Sequence, residues 1–242
     1  MTQPTPLSPP TLGVLQLTQR PVTIPGAMGD PASYAFPVRF QQVPEASPAR
    51  VLGDGVGVAE GHIRVAQRFE REGIAAIISN CGFNARFQKQ ISAAVNVPVA
   101  MSSLQLVPFA VRLIPPGAKV GVITYDSSRL GEIHFNGAGW SLADTPAVVA
   151  GINGSESWHE LGKQEPNVDG EQLARDVLAA IEGLRTDNPE IRALVLECSV
   201  FPVAGPAVRA ATSLPTYDFV TLAHLVMASV ARRTGVTQVA AE

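Results

Sequence analysis

Short runs of consecutive apolar residues alternate along this chain with longer stretches of helical spacing. Leu12-Gly13-Val14-Leu15-Gln16-Leu17, Ala75-Ala76-Ile77-Ile78, Lys119-Val120-Gly121-Val122-Ile123-Thr124 and Ala193-Leu194-Val195-Leu196 read as strands, with a further one near Val148-Val149-Ala150. Between them, Val58 to Glu72 sets Ile63, Ala66 and Phe69 on one face and Arg64, Arg68 and Glu70 elsewhere, which predicts an amphipathic helix. Further helices are predicted over Leu104–Leu113, from about Ser128, over Asp169–Arg185 and over Thr221–Arg233. Apolar strands separated by helices predict an α/β fold with mostly parallel strands. Arg20 to about Gly57 breaks the pattern with prolines and glycines, and a loop of that length in a compact domain predicts a lid or binding loop.

The pattern occurs twice. Ala75-Ala76-Ile77-Ile78-Ser79-Asn80-Cys81 matches Arg192-Ala193-Leu194-Val195-Leu196-Glu197-Cys198, and Val97-Pro98-Val99 matches Leu214-Pro215-Thr216. Each proline lies seventeen residues past its cysteine, so one offset of 117 superposes strand, cysteine, helix and return. Lys119 to Thr124 opens the second half as Leu12 to Leu17 opens the first, and Pro115-Pro116-Gly117 separates the halves. The expected architecture is two pseudo-symmetric lobes, each a short, mostly parallel sheet flanked by helices, with the active site in the cleft between them. The expected boundaries are a flexible leader over 1–11, an N-terminal lobe of 12–116 plus 216–242, and a C-terminal lobe of 117–215.

Composition narrows the function. A 242-residue chain that is 46% hydrophobic and 16% charged has material for a real core. A net charge of −3 gives no reason to expect nucleic acid or an anionic membrane as partner. No apolar run reaches the roughly 18 residues a membrane span needs. The leader lacks the basic and apolar regions of a secretory signal, so a reducing, cytoplasmic location is expected.

Cys81 and Cys198 are the only cysteines. Alone, either is an ordinary buried small hydrophobe. As a pair placed by duplication beyond the carboxyl ends of two strands, they can face one substrate from opposite sides. Each precedes a helix start, with Asn84 positioned to cap the first helix and Pro202 suited to the first position of the second. A thiol near a helix N-terminus forms a thiolate more readily, as a proton-abstracting base requires. The flanking residues Asn80, Gly82, Phe83, Asn84, Ser199 and Val200 are therefore candidate substrate contacts. Ser102 and Ser103, between a strand and a helix, are candidates for holding a carboxylate or for a plain N-cap. Thr124 ends a strand at the cleft, and Arg39 in the long loop is a candidate partner for an anion.

The segments Ile78-Ser79-Asn80-Cys81-Gly82-Phe83, Val97-Pro98-Val99-Ala100-Met101-Ser102-Ser103, and Leu196-Glu197-Cys198 followed by Leu214-Pro215-Thr216-Tyr217-Asp218 resemble the aspartate/glutamate racemase superfamily. That superfamily also holds hydantoin racemases, maleate isomerases and arylmalonate decarboxylases. The resemblance runs from about Leu12 to Arg233 and implies that Cys81 and Cys198 act as the paired acid and base. It implies a cofactor-independent racemase or epimerase exchanging the proton alpha to a carboxylate. Decarboxylation and cis–trans isomerisation on the same scaffold are the alternatives, with a non-catalytic binding protein and a thiol redox sensor beyond them. Amino-acid racemases of the superfamily usually carry Asn-Thr after the first cysteine and Thr after the second. Here Gly82-Phe83 and Ser199-Val200 stand instead, and with Phe201 they predict a less polar pocket.

No cofactor motif appears. Gly53-Asp54-Gly55-Val56-Gly57 fits neither a dinucleotide nor a P-loop pattern and reads as a turn before the Val58 helix. The histidines His62, His134, His159 and His224 lack ligand spacing, so no metal site is expected. The expected partners are a small carboxylate-bearing substrate and a second copy of the chain in a homodimer.

Overall fold

A computed structural model describes residues 9–230. The elements are β1 (Leu12–Gln16), β2 (Val38–Gln42), α1 (Pro48–Leu52), α2 (Val58–Arg71), β3 (Ala76–Ser79), α3 (Gln88–Ser92), β4 (Val99–Ala100) and α4 (Val107–Leu113) in the first half. The second half holds β5 (Lys119–Thr124), α5 (Glu132–Gly137), β6 (Ala147–Gly151), α6 (Glu156–Leu161), α7 (Gly170–Asp187), β7 (Ile191–Leu196), α8 (Gly205–Thr212), β8 (Thr216–Tyr217) and α9 (Phe219–Val230). They form two four-stranded parallel sheets ordered β2-β1-β3-β4 and β6-β5-β7-β8. The two-lobed α/β reading of the sequence is therefore correct.

The central strands are buried on both faces, which is why β1, β3 and β7 read as near-continuous apolar runs. One core cluster crosses the lobes: Leu15, Phe69, Ile77 and Leu104 pack in it with Val120, Val122, Ala193 and Val195. Hydrogen bonds join the halves too. Ser103 Oγ donates to the Leu196 carbonyl at 2.9 Å, and Trp140 Nε1 donates to the Leu104 carbonyl at 2.9 Å.

Four elements depart from the sequence reading, among them α1, a short helix inside the expected loop. β2 lies inside the expected loop: Val38–Gln42 is an edge strand paired in parallel with β1, and its half-exposed pattern hid it. The helix expected from Ser128 begins at Glu132, because Ser128 is tied by its amide and hydroxyl to Asp126 Oδ1. α6 was not foreseen; Ser155 caps it by accepting from the Trp158 amide. Gly53 to Gly57 is a turn before α2, with Gly55 at φ 75° and Gly57 at φ 74°, where a side chain would be strained.

The boundary expected at residue 216 falls within the second sheet, since Thr216–Tyr217 pairs with β7 as β8. From Phe219 the chain crosses to the first lobe, where Phe219, Leu222, Ala223 and Met227 of α9 pack on Leu12, Val14, Ala76 and Ile78. Residues 1–8 of the expected leader, and positions 231–233 of the expected last helix, lie outside the described residues.

Candidate active site

Parallel sheets place side chains beyond the carboxyl ends of their strands, and both cysteines sit there: Cys81 two residues past β3 and Cys198 two residues past β7. The lobes meet so that both thiols line one cavity of about 330 Å³. Asn80, Gly82 and Phe83 from the first lobe and Tyr125, Glu197, Ser199 and Val200 from the second line it with them. The Arg20–Gly57 segment contributes to it: Pro21, Val22, Pro48, Ala49, Val51 and Leu52 line the cavity, together with Leu161, Gly162 and Pro166. This part of the chain is tied to the second lobe by Gln19 Nε2 donating to the Leu161 carbonyl at 2.7 Å and by the Met28 amide donating to the Ser199 carbonyl at 3.1 Å.

The duplication extends to the residue before each cysteine. The Asn80 amide donates to the Leu15 carbonyl at 3.0 Å, and the Glu197 amide to the Ile123 carbonyl at 2.8 Å. Asn80 Oδ1 accepts from the Leu17 amide at 2.9 Å, just past β1. Glu197 correspondingly turns to the end of β5, where its Oε2 accepts from Thr124 Oγ1 at 2.7 Å. Glu197 is fully buried, and its Oε1 has no hydrogen-bond partner. Burial pushes its carboxyl up to about 7, against the Thr124 and Tyr125 donors, which favour the charged form.

Both thiols are free, and both are held high. Burial raises Cys81 most, with the Glu197 charge next; the Phe83 amide, and less so the Asn84 amide, pull it back down. Burial and then Glu197 push Cys198 up to about 12, opposed by the amides of Val200 and Phe201. The opposing amides stand two and three positions past each cysteine, a second level of the pseudo-symmetry. Phe83 is braced by an edge-on contact with His134, ring centroids 5.2 Å apart. Tyr125 stacks on Trp158 at 5.9 Å and donates its hydroxyl to the Trp158 carbonyl at 3.2 Å.

Of the flanking residues expected at the site, Asn80, Gly82, Phe83, Ser199 and Val200 line the cavity, and five other candidates do not. Asn84 is buried and donates to Ser79 Oγ at 2.7 Å, and Cys81, not Asn84, occupies the N-cap position of the following 3-10 helix. Ser102 caps the next 3-10 helix by accepting from the Leu104 amide, and Ser103 is spent on the Leu196 carbonyl, so neither hydroxyl is turned to a ligand. Arg39 stands on β2, paired with Glu72 and lying over the Phe69 ring. Thr124 reaches the site only through Glu197. Sequence reasoning passed over Glu197 and Tyr125. The available signal was a carboxylate ending an apolar strand beside a cysteine.

Among the described residues no group of three or more His, Cys, Asp or Glu side chains could hold a metal ion. No helix there is long and apolar enough to cross a membrane.

No protein-family model matches the chain. It is 30% identical over 217 residues to a dimethylsulfoniopropionate lyase of Durusdinium sp. clade D, covering 86% of this chain and 71% of that protein. The chain belongs to that enzyme's family. Dimethylsulfoniopropionate lyase 3 of Emiliania huxleyi is 30% identical over 91% of this chain, which spans 60% of that longer relative. The two-lobed fold is similar to that of solved decarboxylases and racemases. A sulfate-associated variant of arylmalonate decarboxylase matches with a TM-score of 0.60 at 16% identity, covering 93% of this chain and 97% of that one. Allantoin racemase from Pseudomonas fluorescens matches at 0.61 and 18%, covering 90% and 89%. Picrophilus torridus aspartate racemase matches at 0.57 and 14%, covering 91% and 94%.

Proposed function

We propose that the chain is a cofactor-independent lyase that removes the proton alpha to a carboxylate and expels a leaving group from the beta carbon. Dimethylsulfoniopropionate, the compound named for its relatives, is the substrate to test first. The observation that carries the reading is the pair of thiols, each opposed by two backbone amides, lining one cavity.

One thiolate takes the alpha proton and becomes a thiol. The electron pair of the broken C–H bond forms the alpha–beta double bond, while the beta carbon–sulfur bond breaks and its electrons leave with neutral dimethyl sulfide. Acrylate remains, and the thiol returns its proton to solvent. The amide nitrogen of Asn80, whose oxygen is turned to Leu17, and the Ser199 hydroxyl are the cavity donors suited to the substrate carboxylate. Phe83, Val200 and the wall from Pro21 to Leu52 exclude water from the reacting carbon.

Inversion at the alpha carbon is the second reading, favoured by the near-equivalence of the two thiol units. One experiment separates them. Protein incubated with dimethylsulfoniopropionate in deuterated water should release acrylate and dimethyl sulfide in equal amounts. A panel of chiral carboxylates that gains alpha deuterium and loses optical purity, with no acrylate from the first substrate, would replace elimination with racemisation.

A further inference from the structure

The fold uses the residue before each cysteine in the same way, yet only one of the two can carry charge. Asn80 and Glu197 make matching backbone contacts to the neighbouring strand, so a neutral amide satisfies that position. The carboxylate of Glu197 is thus more than the architecture asks for. It is also incompletely satisfied: Oε2 has Thr124, but Oε1 is buried without a donor. Buried carboxylates normally complete their hydrogen bonds or find a counter-charge. Here, among the described residues, no lysine, arginine or histidine lines the cavity, and Glu197 is the one acidic residue in its lining.

We infer that Glu197 is the specificity residue for substrates with a positively charged onium centre beta to the carbon that loses its proton, the charge of its buried carboxylate attracting that centre through the cavity lining. The inference rests on the lyase reading above and deepens it. An onium group has no N–H or O–H to offer, and it is weakly hydrated. A single carboxylate among apolar and aromatic walls, with Phe83 and Tyr125 in the same lining, suits it better than a cage of polar ligands. Among the described residues, the titratable side chains that feel the Glu197 charge are Cys81 and Cys198, neither of them cationic. Burial first, and the Glu197 charge after it, hold both thiols in the protonated form, so an onium centre near Glu197 relieves the second of these. The base then forms when the right substrate is in place.

The test is calorimetric titration with 3-(trimethylammonio)propionate and its neutral isostere 4,4-dimethylpentanoate, which share a carboxylate and a shape. The natural chain at pH 8 should prefer the cation by about ten- to hundredfold. The preference should shrink on acidification through about pH 7 as Glu197 takes up a proton. In Glu197→Gln the two ligands should bind within about twofold of each other. Equal affinities in the natural chain, a preference independent of pH, or a preference that survives Glu197→Gln would each overturn the inference. The pH series needs no variant, so it decides the matter even if Glu197→Gln misfolds. Acrylate release with no Glu197-dependent preference would sink this inference and spare the lyase reading. A Glu197-dependent preference without acrylate would do the reverse.

Discussion

An ideal Cβ built on Gly82 stands 2.0 Å from Oε1 of Glu197 and 2.6 Å from its carbonyl oxygen. The first lobe therefore carries a glycine next to its cysteine because the second lobe lays a carboxylate there. The contact is between backbone and a confined side chain, so neither partner can yield cheaply. It also accounts for the departure from Asn after the first cysteine that separates this chain from amino-acid racemases.

Gly82→Ala should accordingly displace Glu197 and the Cys81 turn together. Overpacking at such a site costs about 1–3 kcal/mol. Urea unfolding should show that loss, with acrylate formation falling further than the lost stability explains. A variant as stable and active as the natural chain would mean that the carboxylate sits elsewhere.

The two cysteines should contribute unequally to an elimination and equally to an inversion. Burial raises both thiols, and the Glu197 charge raises both further. An elimination needs a single base, so one of Cys81→Ser and Cys198→Ser should lower kcat for acrylate release by at least about 100-fold. The other should retain more of it. Steady-state rates with headspace detection of dimethyl sulfide decide the point, and equal, complete losses would favour racemisation.

Much of this site was legible before any coordinates, for a definite reason. Parallel strands buried on both faces leave apolar runs in the sequence, and a duplicated run ending in the same rare residue marks the same place in both lobes. Cys81, Cys198 and their neighbours Asn80, Gly82, Phe83, Ser199 and Val200, which line the cavity, were legible in this way. The candidates that do not line it share a different cause. Ser102, Ser103 and Asn84 have the residue types and positions of ligand contacts, but backbone groups had already claimed their polar atoms, a competition invisible along the chain. Arg39 looked like loop because β2 is a half-exposed edge strand. Glu197 was missed because its importance lies in the missing partner of Oε1, which only the packed structure reveals.

The reassignment of Ser103 has its own consequence. Its hydroxyl bridges the lobes to the Leu196 carbonyl and does not face the cavity. Ser103→Ala should cost about 1 kcal/mol of stability and leave KM for dimethylsulfoniopropionate unchanged. A severalfold rise in KM without loss of stability would restore Ser103 to the substrate.

Thr124 acts on the chemistry only by donating to Glu197 Oε2, which favours the ionised carboxylate. Thr124→Val removes that donor and should raise the Glu197 carboxyl further. The acidic limb of kcat/KM should move to higher pH, with stability lower by about 1–3 kcal/mol for a buried acceptor left bare. An unmoved limb would mean that the ionisation governing activity belongs to another group.

Stability against pH offers a check independent of substrate. Glu197 titrates near 4.5 when unfolded and near 7 when folded, so burial favours its neutral form. Its contribution is fully present below about pH 4.5 and is lost as pH rises through 7, a swing of about 3 kcal/mol. His62 and His134 oppose it: burial lowers both from 6.5 to about 4, so their contribution is present above pH 6.5 and lost on acidification towards 4. The curve of the natural chain blends the two trends, and the difference between it and Glu197→Gln isolates the carboxylate. Unfolding free energies by urea at intervals from pH 5 to 8 should show Glu197→Gln gaining steadily on the natural chain as the pH rises. Parallel curves would place Glu197 in contact with water and remove the physical reason for its exceptional role.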